Sequence, residues 1–219
     1  MFITFEGPDG SGKSSVIKEV YKRLVEENYA VVLTREPGGT EIAEKIRDII
    51  LDNSNTNLDI RTEALLYAAS RRQHLVEKIW PALKEGKIVI CDRFLDSSLA
   101  YQGGGRDLGI ENVLNVNLFA TENTYPDLTL FFEVSPEVGL ARLSKDKKRV
   151  ADRLDNESEN FHNKVYETFH KINDMYKDRI VVIDANKPLD DVVEQAYIAI
   201  KKKLNELRWI FRNKSTYSL

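Results

Sequence analysis

The sequence predicts an α/β fold in three layers, with a five-stranded parallel sheet between two layers of helices. Three observations carry that expectation. Five short apolar runs recur along the chain with little alternation, as strands buried on both faces do. Longer segments with helical periodicity separate them. A glycine-rich turn follows the first run directly and opens the first helical segment.

The strands are expected at Phe2–Glu6, Ala30–Thr34, Ile88–Cys91, Leu128–Glu133 and Ile180–Ile183. Helical patterns fall near 13–28, 39–52, 60–85, 108–122, 136–145, 157–177 and 188–208. The last is representative: Val192, Val193, Ala196, Ile200 and Leu204 recur at helical spacing. Strand–helix alternation calls for right-handed crossovers and a parallel sheet, with ligands gathered at the carboxyl ends of the strands. The 219 residues suit one domain over 1–208, with a C-terminal tail over 209–219 expected to pack as a helix end. The charge-dense stretch 144–157 reads as a mobile segment.

Composition narrows the function. The net charge of −3 gives no electrostatic case for duplex DNA or an acidic membrane, so no nucleic-acid or membrane partner is expected. Cys91 is the one cysteine, which excludes an internal disulfide and a cysteine-based metal cluster; it reads as a small core residue. The N-terminus lacks a basic region ahead of its apolar run, so no signal peptide is expected and the chain reads as cytoplasmic. His74, His162 and His170 are scattered and suggest surface or helix-packing roles.

Gly7-Pro8-Asp9-Gly10-Ser11-Gly12-Lys13-Ser14 fits the pattern G-x-x-x-x-G-K-S/T between a strand and a helix. Glycines admit positive φ and let backbone N–H groups approach phosphate oxygens, and the helix N-terminus adds its positive dipole end. Lys13 reaches the β- and γ-phosphates of a nucleotide, and Ser14, with Ser15 beside it, stands where a hydroxyl ligates Mg²⁺. The expected fold is therefore a P-loop NTPase, which leaves kinase, ATPase and GTPase open. A GTP-binding switch protein needs an Asn-Lys-x-Asp signature. Asn186-Lys187-Pro188-Leu189-Asp190 puts its Asp one place too far and reads better as a loop entering a helix.

Asp92-Arg93-Phe94 follows the third strand. A carboxylate there can hold Mg²⁺ directly or through water, and an arginine can fork onto a phosphate. Asp92-Arg93-Phe94-x-x-Ser97-x-x-Ala100-Tyr101-Gln102-Gly103 resembles the signature of the thymidylate kinase family. Thr34-Arg35-Glu36-Pro37-Gly38-Gly39-Thr40, Leu65-Leu66-Tyr67-Ala68-Ala69-Ser70-Arg71-Arg72-Gln73-His74 and Gly103-Gly104-Gly105-Arg106 resemble the same family in the same order. The likeness continues through Gly139-Leu140-x-Arg142 and Asp152-Arg153.

That resemblance implies transfer of a phosphoryl group from ATP, with Mg²⁺, to dTMP. It implies that Asp9 lies near the acceptor 3′-hydroxyl and Mg²⁺, and that Arg35 and Arg93 lie near the acceptor phosphate. It implies that Arg71 and Gln102 contact the pyrimidine, and that Tyr101 crowds C2′ so as to exclude ribose. Glu36, Pro37, Ser97 and Ser98 belong to the implied dTMP site, and Arg142 to the implied ATP site. Position 67 departs from the family, which carries Phe there. Tyr67 can still stack on the base, and shares a helix face with Arg71 at i and i+4.

The 144–157 stretch resembles the family's lid. Ser11 stands where some members carry a catalytic arginine, so the missing cation is expected among Lys145, Lys147, Lys148, Arg149 and Arg153, with Arg149 and Arg153 favoured. The resemblance also implies a homodimer, for which Val113, Leu114, Val116 and Leu118 offer one apolar face, with intramolecular core as the competing reading. A kinase for another deoxynucleotide or deoxynucleoside is the nearest alternative. A GTP-binding switch or a non-catalytic nucleotide-binding module stands further off.

Overall fold

In the computed structural model, residues 1–144 and 151–214 are described, with side chains through Trp209. Five strands, β1 (Phe2–Glu6), β2 (Val31–Arg35), β3 (Ile88–Asp92), β4 (Leu128–Glu133) and β5 (Ile180–Asp184), form one parallel sheet in the order β2-β3-β1-β4-β5. Each expected strand is present, three of them running one residue further than their pattern suggested. The helices are α1 (Lys13–Glu26), α2 (Glu41–Leu51), α3 (Ile60–His74), α4 (Trp80–Lys84), α5 (Leu95–Ser98), α6 (Ile110–Thr121), α7 (Pro136–Leu143), α8 (Glu159–Met175) and α9 (Leu189–Lys214).

The strand pleat sorts β1 to two faces. Ile3 and Phe5 meet Val16, Val20 and Leu24 of α1 and Val193, Ala196 and Ile200 of α9. Phe2 points the other way, into a core with Leu75, Phe94, Phe131, Val165 and Phe169. Both faces of the sheet are thereby covered by helices, which is why the strand sequences lack alternation.

Two helical stretches differ from the simple pattern. The predicted helix 60–85 is α3 and α4 joined by a π-helical turn at Leu75–Ile79. Pro81 explains the turn: it brings no N–H for an i→i−4 bond and its ring crowds the carbonyl four residues back, so the helix widens just before it. After β3, α5 and a π-helical segment at Leu99–Gly105 occupy a region for which no helix was expected. Its glycines permit close approach. A Cβ on Gly104 would stand 2.0 Å from Thr168 Oγ1, and one on Gly105 2.5 Å from Phe161, so α8 lies against this segment's backbone.

The predicted mobile stretch divides. Lys145, Lys147, Lys148 and Arg149 lie outside the described residues. Residues 151–157 form a turn in which Asp152 Oδ1 accepts from the N–H groups of Leu154 and Asp155, with Leu154 buried in the core. The Arg153 N–H donates to Leu51 O at 3.3 Å and its Nε to Ile50 O at 2.9 Å, pinning the turn to the end of α2. Helix α9 continues to Lys214, past the expected boundary at 208, and Trp209 is 67% exposed rather than packed on the body. Among the described residues, no helix is long and apolar enough to cross a membrane.

Candidate active site

The turn between β1 and α1 is held tightly. Gly7, Gly10 and Gly12 take positive φ, the conformation the motif demands. At Gly10 a Cβ would lie 2.1 Å from Gly139 O, and at Gly139 one would lie 2.5 Å from Asp9 O, so this turn and α7 touch backbone to backbone. Lys13 Nζ donates to Gly7 O and Pro8 O, each at 2.9 Å, and to Ser11 Oγ at 3.1 Å. The lysine thus bridges its own loop. Burial, followed by the charge of Arg93, pulls its pKa down to about 8. Ser15 is exposed and continues α1.

Arg93, the first residue after β3, has φ of 69°. A non-glycine residue held there costs on the order of 1–3 kcal/mol and is found where the surrounding structure over-determines it. The strained backbone turns the guanidinium over the phosphate loop. Nη1 donates to Gly7 O at 2.9 Å and Ser97 Oγ at 3.0 Å, and Nη2 to Asp9 Oδ1 at 2.6 Å. The Tyr101 hydroxyl donates to Asp9 Oδ2 at 2.8 Å, and the Arg93 guanidinium lies 5.1 Å from the Tyr101 ring centre. Beneath them Glu6 is fully buried, accepting from the Phe94 N–H at 2.7 Å and from Ser97 Oγ at 2.5 Å. Burial, then Asp96, pushes its carboxyl up to about 7.

A cavity of about 260 Å³ opens beside Arg93, lined by Asp9, Ser14, Asp92 and Arg93 together with Tyr67, Arg71, Tyr101 and Gln102, and by Arg35, Glu36, Pro37, Ser97 and Ser98. Ser14 Oγ donates to Asp92 Oδ2 at 3.2 Å, an all-oxygen pair of the kind a hard divalent cation prefers. Arg71 is almost fully buried. Its Nε donates to Glu36 Oε2 at 2.7 Å, Nη1 to Ser98 Oγ and to Asn117 Oδ1, and Nη2 to Phe94 O at 2.8 Å. Tyr67 and Arg71 share the cavity, as their i, i+4 spacing suggested. The Tyr67 hydroxyl makes no hydrogen bond among the described residues, and burial, then the charge of Glu63, raises its pKa.

Other candidates sit elsewhere. Arg142 Nη2 donates to Ala185 O at 3.0 Å, at the end of β5. Arg35 is paired with Glu44 at 2.9 Å on the cavity wall. Arg153 is engaged by Glu63 at 2.5 Å through Nη2 and by Ile50 O at 2.9 Å through Nε. Asn186 forms a small turn on Asp184 Oδ1 just before α9, as a helix-entry loop does and a guanine-reading loop does not.

Sequence reasoning passed over several residues that build the site. His74, expected in a surface or packing role, is fully buried in a polar chain, with Thr34 Oγ1 on Nε2 at 2.6 Å and Glu36 Oε1 on Nδ1 at 3.0 Å. Glu36, His74 and Cys91 place potential ligand atoms within 4.8 Å of one another, though no spacing hinted at it. Those of Glu36 and His74 are already spent on hydrogen bonds, and Cys91 Sγ donates to Arg93 O at 3.0 Å. Arg47 reaches the cavity from α2 and donates to Pro37 O at 2.9 Å. Glu63 lies one turn before Tyr67, a relation visible in the sequence. Burial works to raise its pKa, but hydrogen bonds from Arg153, Gln102 and Arg106 outweigh it and hold the carboxyl below its usual range.

A thymidylate kinase family model matches residues 5–196. The chain belongs to the thymidylate kinase family. It is 56% identical over 209 residues to a thymidylate kinase of Lactobacillus helveticus, covering 94% of this chain and 98% of that one. Against a thymidylate kinase of a Geobacillus species it is 54% identical over 203 residues, covering 93% and 97%. A crystal structure of thymidylate kinase from Ehrlichia chaffeensis superposes with a TM-score of 0.75 at 33% identity, covering 92% of this chain and 98% of that one. Asp9 and Ser14 of the phosphate loop line the same cavity as Arg35, Tyr67, Arg71, Arg93 and Gln102.

Proposed function

We propose that this thymidylate kinase family member transfers the γ-phosphoryl group of ATP to dTMP, giving dTDP and ADP. The observation that carries the reading is Arg93. It is bonded to Gly7 and Asp9 of the phosphate loop while lining the cavity that Tyr67, Arg71 and Gln102 share. One guanidinium thus stands between the place for a donor triphosphate and the place for an acceptor nucleotide.

In the reaction an oxygen of the acceptor 5′-phosphate forms a bond to the γ-phosphorus as the bond to the β–γ bridging oxygen breaks, and ADP leaves with that oxygen. Little covalent help is needed; positioning and charge neutralisation dominate. The backbone N–H groups from Gly7 to Ser14 cradle the donor phosphates. Lys13 exchanges its loop carbonyls for β- and γ-phosphate oxygens. Arg93, with Arg35, separates two anions that would otherwise repel. Asp9, oriented by Arg93 and Tyr101, accepts from the sugar 3′-hydroxyl. Tyr67 stacks on the base, and Arg71 and Gln102 meet its edge. Ser14 and Asp92 fit Mg²⁺ as a hard oxygen pair, and the ion when bound neutralises charge on the phosphates.

The lid charge on the transferring group is supplied by Arg149 and Arg153. Arg153 holds Glu63 through Nη2 and Ile50 O through Nε, which leaves its other N–H groups for a phosphate oxygen. Arg142 borders the adenosine of ATP near Ala185. A cytoplasmic setting, where ATP is made and used, suits this chemistry.

The active species is a homodimer formed on the α3–α6 face. Val113, expected as part of an apolar dimer surface, is buried in the core, and Leu114 packs partly against it. Phe119 on α6 is instead 89% exposed, and Leu65 on α3 is 56% exposed. Arg72 of α3 donates to Ala120 O of α6 at 3.4 Å, so the two helices that carry these exposed groups are packed together.

The deciding experiment is ADP release with ATP, Mg²⁺ and a panel of acceptors. Fastest turnover on dTMP is expected. Faster turnover on dCMP or thymidine, or a preference for GTP over ATP in binding, would overturn the proposal.

A further inference from the structure

Glu63 lies at the junction of two parts of the molecule that would otherwise be separate. Its side chain is fully buried. Oε1 accepts from Gln102 Nε2 at 3.0 Å and from Arg106 Nε at 3.3 Å. Oε2 accepts from Arg106 Nη2 at 3.1 Å and from Arg153 Nη2 at 2.5 Å. Arg106 also pairs with Glu157 at 2.6 Å, so both ends of the 151–157 turn are tied to this carboxylate, one directly and one through Arg106.

The consequence concerns Gln102. An amide side chain can turn either its oxygen or its nitrogen toward a ligand. An ionised carboxylate accepts only, so the group facing Glu63 must be the NH₂. The amide oxygen has no partner among the described residues and is the end left for the cavity that Gln102 lines.

We propose that Glu63 is a positioning residue that sets the acceptor specificity of the site. It holds Gln102 with its amide oxygen toward the base and ties that setting to Arg153 at the foot of the lid. This rests on the dTMP reading above. A base edge that presents an N–H, as N3 of thymine or uracil does, meets an acceptor. Cytosine presents a lone pair at N3, and the two oxygen- and nitrogen-centred lone pairs face each other with no proton between them. Because Arg153 holds the same carboxylate, a base that seats well on Gln102 also steadies the 151–157 turn.

The test is Glu63→Gln, which keeps the shape and can donate as well as accept, so Gln102 is free to turn over. The ratio of kcat/KM for dTMP to that for dCMP should fall about tenfold or more, with KM for ATP within about twofold of the parent. A merely structural role would lower stability and kcat on both acceptors and leave the ratio alone. A folded Glu63→Gln protein with the parent ratio would therefore overturn the proposal.

Reversed polarity gives a second reading. Gln102→Glu faces two carboxylates, while Gln102→Glu with Glu63→Gln restores one donor and one acceptor. The double variant should recover dTMP preference over the single one, and no recovery would count against the role. The unaltered protein supplies a third readout. Binding dTMP should slow amide exchange across 152–154 more than binding dCMP does, and equal protection would remove the link to Arg153. An unaltered protein with no preference for dTMP would sink the substrate reading itself, an outcome distinct from all of these.

Discussion

Glu36 and Arg71 form an ion pair at 2.7 Å in which the side chains are 2% and 1% exposed. Arg71 also donates to Ser98 Oγ, Asn117 Oδ1 and Phe94 O, so the pair is held in a hydrogen-bonded setting. Removing one partner leaves the other charge buried without compensation, which costs about 3–5 kcal/mol. Glu36→Gln should thus lower the melting temperature by on the order of 10 °C. Thermal unfolding followed by circular dichroism measures it, and an unchanged melting temperature would show that the pair contributes little.

Lys13 bridges Gly7 O, Pro8 O and Ser11 Oγ in the folded chain. Lys13→Ala should lower kcat by about 10²–10³, as loss of a preorganised charge donor does. Steady-state turnover of dTMP at saturating ATP is the check. Near-normal turnover would refute a role in stabilising the transferring phosphoryl group.

The same lysine makes ATP binding pH-dependent. Its pKa is about 8, below the ordinary 10.5, because burial and Arg93 disfavour the charge. In folding terms that lowering penalises the native state below pH 8, and the penalty is relieved as pH rises from about 8 to 10.5. Phosphates beside the ammonium group favour its charged form and raise the pKa in the complex. Between the two values the complex holds the extra proton, so binding takes up protons near pH 8.5 and ATP affinity falls as pH climbs further. Calorimetry in buffers of different ionisation enthalpy reads this directly, and proton release at that pH would contradict it.

Tyr101 and Arg93 together fix the two oxygens of Asp9. Tyr101→Phe keeps the ring but removes one hydrogen bond to a charged group, worth about 1.5–3 kcal/mol. An approximately tenfold or greater fall in kcat/KM for dTMP is expected, with KM for ATP little changed. Equal kcat/KM in the two proteins would mean that Arg93 alone orients the carboxylate.

Phe119 is 89% exposed on α6. If it anchors a second copy, Phe119→Asp places a charge in that contact and should convert a dimer to a monomer, while the melting temperature of the monomer stays close to that expected for a surface change. Sedimentation velocity distinguishes the forms. A Phe119→Asp protein that stays dimeric would move the interface elsewhere.

Much of the site was legible because chemistry and spacing coincide. The phosphate loop, Arg93 and the Tyr67–Arg71 pair each combine a residue type with a backbone setting that local sequence specifies. Glu63, His74, Asn117 and Arg47 escaped notice. Glu63, His74 and Asn117 act on Gln102, Glu36 and Arg71, all more than 35 residues away, and Arg47 acts on the backbone carbonyl of Pro37, which no side-chain pattern records. The missing side chains at Gly104 and Gly105 serve the approach of α8, a role the contiguous motif does not reveal.

The sequence by itself determined the strand–helix alternation, the phosphate loop and the family, because these depend on period, turn chemistry and contiguous motifs. Only the tertiary structure decided that Arg153 pairs with the buried Glu63, and that Phe119 rather than Val113 faces outward. The physical reason is that burial and charge pairing are properties of neighbours in space. A lone arginine or phenylalanine carries no record in its local sequence of which carboxylate or which helix it will meet.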